Sequence, residues 1–190
     1  MNSVTNNKIK TISQNKIWLF VPVTRIDRVA KAFASGADAV IVDLEDAVAP
    51  EDKASAREAL QQYHDSAGYQ QIWVRINKAG SKEFFKDIVL CQKTPNLAGV
   101  LLAKAEQVDD IESVHQLTNL PVIALIESAM GLYQIDSMAK AVGLAAFSYG
   151  FLDLCNDLQV QVGTSAADII ANQIRYQLIL TSKVHQLSPP

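Results

Sequence analysis

The sequence predicts an α/β fold of repeated strand–helix units. Three observations carry this expectation. Short β-branched apolar runs alternate with longer amphipathic segments along most of the chain. The runs are continuously apolar rather than strictly alternating, as parallel strands covered on both faces are. No Gly-rich fingerprint follows the first run, where a dinucleotide-binding sheet would carry one. Repetition of this kind means parallel strands with helical crossovers. The pattern alone leaves both an open doubly wound sheet and a (β/α) barrel.

The first run is Ile17 to Val23. Thr24 is placed to cap a helix from Arg25 to Ala34, stopped by Ser35-Gly36. The second run is Ala37 to Leu44, and a helix follows Pro50 with Glu51 and Asp52 in its first turn, where acids suit the macrodipole. The third run is Gln71 to Ile76, followed by a helix near Lys82 to Cys91. Ala98 to Ala103 and Val108 to Leu117 form the fourth pair. Pro121 to Ile126 and Met130 to Ala141 form the fifth. Leu144 to Phe147 is the sixth run, and a long helix is expected from Ala166 to Val184. Residues 1–16 read as a polar tail, with Lys8 to Lys16 a loose basic arm, and 17–190 as one domain.

Composition narrows the function classes. The chain has 190 residues, 49% hydrophobic and 19% charged, with net charge −3. It is too apolar and too weakly charged to be disordered. With no basic excess, nucleic acid is not the expected partner. Its length suffices to bury roughly two-thirds of the unfolded surface. Cys91 and Cys155 make no C-x-x-C pair, and no H-x-x-x-H spacing exists among His64, His115 and His185. Zinc and disulfide chemistry are therefore not expected. Neither a signal-peptide run nor a membrane-length apolar stretch is present, so a cytoplasmic protein without membrane association is the expectation.

Polar residues concentrate where the runs end: Asp43, Glu45 and Asp46; Arg75 and Asn77; Lys104 and Glu106; Glu127 and Ser128; and, past Gly150, Asp153. In a parallel fold these ends share the face where ligands bind. Lys104, Glu106 and Asp43 are equally read as residues of a strand leaving for solvent, and Asp153 as a helix cap. Arg75, between Val74 and Ile76, needs an acidic partner, so a buried Arg–carboxylate strut is its alternative. Glu127 ends a wholly apolar run and is desolvated unless paired or bound to a cation. Neighbouring carboxylates repel unless a proton or cation lies between them. An oxygen-only ligand set favours a hard ion such as Mg²⁺ or Mn²⁺. The residues thus suggest a Mg²⁺-held anionic substrate, without naming a reaction.

Several stretches, in order and spacing, resemble one family. They are Leu19 to Arg28, Gly36 to Pro50 with its Asp-Leu-Glu-Asp pattern, Val74 to Asn77, Ala98 to Glu106, Ile123 to Leu132, and Gly150 to Leu158. Together they are similar to the citrate lyase β-subunit-like proteins of the aldolase/citrate lyase superfamily, over Ile17 to Leu187. The resemblance implies a (β/α)₈ TIM-type barrel, usually trimeric, here shortened to about six units. It implies a Mg²⁺ site on Glu127 and Asp153, and a substrate arginine at Arg75. Arg25, Asp46 and Lys104 join the substrate-binding set; Arg75 is the expected catalytic arginine, with Glu45 or a metal-bound water as the general base.

The chemistry implied is reversible carbon–carbon cleavage of a hydroxyacyl thioester on CoA or a carrier protein, of the citryl, malyl or citramalyl type. It releases an acetyl thioester and a 2-oxo acid. Val23 stands where the family usually has glycine, Ala103 where it has proline, and Gln159 where glycine is frequent. Typical relatives run two strand–helix units beyond Pro190. The alternative is a non-catalytic, truncated barrel serving as an oligomer subunit or binding module, whose two open edges would invite pairing.

Overall fold

A computed structural model describes residues 12–190. Its six strands are β1 (Trp18–Pro22), β2 (Ala39–Asp43), β3 (Trp73–Ile76), β4 (Gly99–Leu102), β5 (Val122–Ile126) and β6 (Leu144–Tyr149). They form one sheet in chain order, every neighbouring pair parallel. A doubly wound sheet reverses its strand order near the middle. Chain-consecutive order has no such reversal and is how a barrel wall is built. Among the described residues the wall is open between β1 and β6.

The period of two along each strand separates two cores. Val40 and Val42, Val74 and Ile76, Val100 and Leu102, and Val122, Ala124 and Ile126 face outward. There they meet Leu60, Ile88, Ile111, Val114, Ile174 and Leu178 of the surrounding helices. Ala39 and Ile41, Trp73, Leu101, Ile123 and Leu125 face inward and form a second, smaller cluster. A one-residue slip in any strand would exchange these sets, so the register is strongly specified.

The helices are α1 (Val29–Ala34), α2 (Lys53–His64), α3 (Phe84–Lys93), α4 (Val108–Thr118), α5 (Ala129–Tyr133), α6 (Ile135–Met138), α7 (Phe151–Asp157) and α8 (Ser165–Val184). Three depart from the sequence expectation. The helix expected from Arg25 begins instead as a 3₁₀ turn over Val23–Arg28, because Arg25 leaves helical geometry at φ −126°, and Thr24 makes no cap. The helix expected over Met130 to Ala141 is divided at Gln134 into α5 and α6. Asp153 lies inside α7, one turn past Gly150, and so is no cap. By contrast Thr164 does cap α8, accepting from the Ala167 amide.

Gln159, where the resemblance led to an expected glycine, has φ +56°, a left-handed conformation that glycine adopts without steric cost. The expected basic arm, Lys8 to Lys16, lies outside the described residues as far as residue 11. Within it, Ile12 is buried in the inner cluster, and the amides of Lys16 and Ile17 both donate to Asp38. Among the described residues no helix is long and apolar enough to cross a membrane.

Candidate functional site

Register places the first pair. Asp43 and Arg75 are direct partners across β2 and β3. Arg75 in turn neighbours Leu101, a member of the inner cluster, so both side chains face the barrel interior at its C-terminal mouth. There Arg75 Nε and Nη2 donate to Asp43 Oδ1 and Oδ2 at 2.7 and 2.6 Å, a bidentate pair. Asp43 also accepts from the Glu45 and Ala47 amides. The strut foreseen as an alternative for Arg75 is therefore present, and it leaves one arm of the guanidinium over. Nη1 lies 3.2 Å from Glu45 and 3.9 Å from Glu127. The ring of Phe20 stands 5.2 Å from Arg75 Cζ. Burial alone would lower the Arg75 proton affinity, but the Asp43 hydrogen bonds and the charges of Asp43, Glu45 and Glu127 outweigh it and raise it.

Lys104 is the hub of the acidic side chains. Its backbone is left-handed, φ +50°, which turns the chain sharply after β4. Its amide donates to Glu127 Oε2 at 3.0 Å. Its ammonium lies 2.5 Å from Glu45, 3.3 Å from Asp46 and 3.6 Å from Asp153. Burial opposes the charge, yet the hydrogen bond to Glu45 and the surrounding carboxylates raise the Lys104 proton affinity. A residue that the sequence also read as solvent-facing thus joins the ends of β2, β4 and β5 with the start of α7.

The acids are unequal. Burial pushes the Glu127 carboxyl up to about 7, and the Lys104 amide only partly offsets it. Burial also raises Glu45, against the Lys104 hydrogen bond and the Arg75 charge. At Asp46 burial is outweighed by the hydrogen bonding shared with Glu45 and by the Lys104 charge, and its carboxyl falls below the usual range. Asp153 is the open member, its side chain 41% exposed against 3% for Glu127. Glu127 and Asp153 share a 320 Å³ cleft with Lys104, Glu106, Ser128 and Asp157. The floor is tight. A Cβ on Gly150 would collide with Glu127 Oε1 and come within 2.8 Å of its Cγ. Ser128 caps α5, accepting from the Gly131 amide, and donates to Glu106 at 2.5 Å.

Among the described residues, no group of three or more His, Cys, Asp and Glu side chains forms a metal cage. The donor chemistry still fits Mg²⁺, which usually takes one or two protein carboxylates and leaves its other positions to water and substrate. Glu127, raised to about 7 by burial although Arg75 Nη1 lies 3.9 Å away, and the more open Asp153 present carboxylate oxygens to one cleft, and a divalent ion there would offset the burial of the Glu127 charge.

Of the expected residues, the structure brings together Glu45, Asp46, Arg75, Lys104, Glu127 and Asp153. It does not bring Arg25. That side chain is half-exposed on the 3₁₀ turn and pairs with Asp27 at 3.2 Å. Two contributors escaped the sequence reading of the site. Asp43, noted only as a strand end, fixes Arg75; its place directly across from Arg75 was the available signal. Lys53 was missed entirely: it is buried, and its ammonium donates to the Leu44 and Glu45 carbonyls and to Asn77 Oδ1.

Comparison with known proteins agrees with this geometry. A protein of Deinococcus radiodurans named citrate lyase subunit beta-like protein is 32% identical over 151 residues, 74% of this chain and 52% of that protein. An L-malyl-CoA/beta-methylmalyl-CoA lyase of Cereibacter sphaeroides is 28% identical over 191 residues, 92% of this chain and 59% of that one. The chain thus spans between half and three-fifths of these relatives' length. A solved structure of the citrate lyase beta subunit of M. tuberculosis, complexed with oxaloacetate and magnesium, superposes with TM-score 0.80. It is 30% identical, and the match covers 93% of this chain and 78% of that one. The sequence pattern of the HpcH/HpaI aldolase/citrate lyase family matches residues 16–188, and the chain belongs to that family.

Proposed function

We propose that this chain carries the active-site face of a Mg²⁺-dependent carbon–carbon lyase acting on a hydroxyacyl thioester. The observation that carries the reading is the buried Glu127 carboxyl, raised to about 7 by burial, sharing a cleft with Asp153 and lying 3.9 Å from Arg75 Nη1. Support comes from the relatives: one is named for malyl-CoA cleavage, and another holds magnesium and oxaloacetate, a 2-oxo acid.

Cleavage of such a thioester removes the proton of the hydroxyl beside the scissile bond. The carbon–carbon bond then breaks, the hydroxyl carbon becomes the carbonyl of a 2-oxo acid, and the electron pair passes to the acetyl thioester as an enolate, which takes up a proton. Mg²⁺ held by Glu127 and Asp153 would act as a Lewis acid on the carbon–oxygen group of the substrate. The chain's own residues supply the rest. Asp43 uses two arms of Arg75 and leaves Nη1 aimed between Glu45 and Glu127. A guanidinium already held there stabilises the developing enolate oxygen without reorganisation. Glu45, whose proton affinity burial raises, is suited to accept the hydroxyl proton. Lys104 and Asp46 line the same mouth as substrate contacts. Arg25, paired with Asp27 on the 3₁₀ turn, stands apart from this group, and the role proposed for it is an outer substrate contact rather than a part in the bond cleavage.

The carrier we propose is CoA or an acyl-carrier protein. We also place the protein in the cytoplasm, which its two free, buried cysteines support, and in a homotrimer. A second reading, a non-catalytic subunit or binding module, draws on the edges of β1 and β6, which pair with no strand among the described residues. A coupled lyase assay with citryl-CoA, malyl-CoA and citramalyl-CoA, with and without Mg²⁺, separates the two. Metal-dependent release of a 2-oxo acid from one of them is expected. Folded protein that turns over none of them favours the second reading.

A further inference from the structure

Lys53 opens α2 and is buried, with 8% of its surface exposed. Its ammonium makes three hydrogen bonds, to Leu44 O at 2.7 Å, Glu45 O at 2.6 Å and Asn77 Oδ1 at 2.9 Å. Each of its three protons has an acceptor, and none of these acceptors is charged. Such a group is costly to bury. The compensating charge lies one step further in. Asn77 Nδ2 donates to Asp87 Oδ2 at 2.6 Å and to Leu44 O at 3.1 Å, and the Asn77 amide also donates to Asp87. Asp87 is fully buried and pairs with Arg57, which also holds Glu83. The path runs from Lys53 on α2 through the neutral Asn77 carboxamide after β3 to Asp87 on α3, and returns to Arg57 on α2, which pairs with Asp87 and Glu83.

Two of the three Lys53 hydrogen bonds end on backbone carbonyls of the turn that carries Glu45 and Asp46. Well-packed apolar groups of similar volume could fill this space with equal or better stability. A charged device that grips consecutive carbonyls does something an apolar side chain does not: it fixes the orientation of that turn. On its opposite side, the Glu45 carboxylate meets both Lys104 and Arg75.

We propose that Lys53 is a positioning residue, which, held by Asn77 and Asp87, sets the Leu44–Asp46 turn so that Glu45 stands in register with Lys104 and Arg75. The proposal rests on the lyase reading for its kinetic consequence, and on the geometry alone for its structural one. Glu127 and Asp153 receive no contact from Lys53, so metal binding stays in place when Lys53 is replaced, while Glu45 and Asp46 on the turn lose their register with Lys104 and Arg75. Supporting residues one contact removed from a site are commonly worth 10–100-fold.

The test compares Lys53→Met, Lys53→Gln and a control, Leu60→Val, which disturbs the same helix away from the mouth. Lys53→Met is expected to lower kcat about 10–100-fold, with the Mg²⁺ affinity from calorimetry within about three-fold of the parent and KM changed less than kcat. Lys53→Gln, which can still donate to the carbonyls, is expected to fall between and provides the measurement if the methionine variant does not fold. Hydrogen exchange is read in parallel over residues 43–48, whose amides should lose protection in both Lys53 variants and not in the control. A kcat within two-fold of the parent, an equal loss in Leu60→Val, or unchanged exchange over 43–48 overturns the proposal. If the parent turns over no thioester, the lyase reading fails, and the exchange result alone decides whether Lys53 fixes the turn.

Discussion

Replacing Arg75 with methionine tests the geometry at the centre of the site. Methionine keeps most of the apolar stem and removes the guanidinium. Asp43, with 4% of its side chain exposed, then keeps its two backbone donors but loses both charge-assisted hydrogen bonds. Breaking a buried pair by removing one partner costs about 3–5 kcal/mol, because the other charge stays buried without compensation. The two remaining amides place this case near the low end, about 3 kcal/mol. That is a large part of the roughly 5–15 kcal/mol by which such a domain is stable. Adding Asp43→Asn removes the stranded charge, so the double variant should recover about 2 kcal/mol of the loss. Urea unfolding followed by circular dichroism reads this directly, as a fall in midpoint for Arg75→Met that Asp43→Asn partly reverses at constant slope. A single-variant loss below about 1 kcal/mol, the value of an exposed pair, or strictly additive losses in the double variant would refute the strut.

Three further outcomes are expected from the Glu127 environment. Gly150→Ala places a Cβ against the Glu127 carboxyl and should weaken Mg²⁺ binding by about ten-fold while the far-ultraviolet dichroism stays unchanged; equal affinity in calorimetry would show that Glu127 has room to spare. The raised Glu127 proton affinity makes metal binding release a proton, so Mg²⁺ affinity should climb as pH rises toward about 7 and level off above it. The same shift sets the sign for metal-free stability. The folded state keeps the Glu127 proton at pH values where the unfolded chain, with an ordinary carboxyl near 4.5, has lost it. The contribution of Glu127 is therefore greatest below that value and is lost as pH rises through about 7. Denaturation midpoints measured with and without Glu127→Gln check this, and a pH dependence that survives the substitution contradicts it.

The strands were legible because parallel strands covered on both faces need continuous β-branched runs, and runs such as Ala-Val-Ile-Val before Asp43 have no other plausible use. The gathering of polar residues at strand ends was legible for the same reason: once the strands are parallel, their C-terminal ends coincide. What the sequence hid are contacts that depend on where a side chain turns. Lys53 follows Pro-Glu-Asp at the start of a helix, where nothing in the sequence marks it as buried, yet the turn after β2 folds its carbonyls back onto that ammonium. Arg25 reads as a mouth residue from its motif, yet non-helical backbone at its own position leaves it on the surface with Asp27. Ile12 sits in a polar stretch and was invisible as a core residue until the inner face of the sheet was seen to need cover.

The claim on which the account turns is that Glu127 and Asp153 form the seat of a divalent ion. Calorimetric titration of Mg²⁺ into the protein and into Glu127→Ala tests it most directly. The expected result is one ion bound per chain by the parent and no measurable binding by the folded variant. A Glu127→Ala variant that binds Mg²⁺ as tightly as the parent would contradict it.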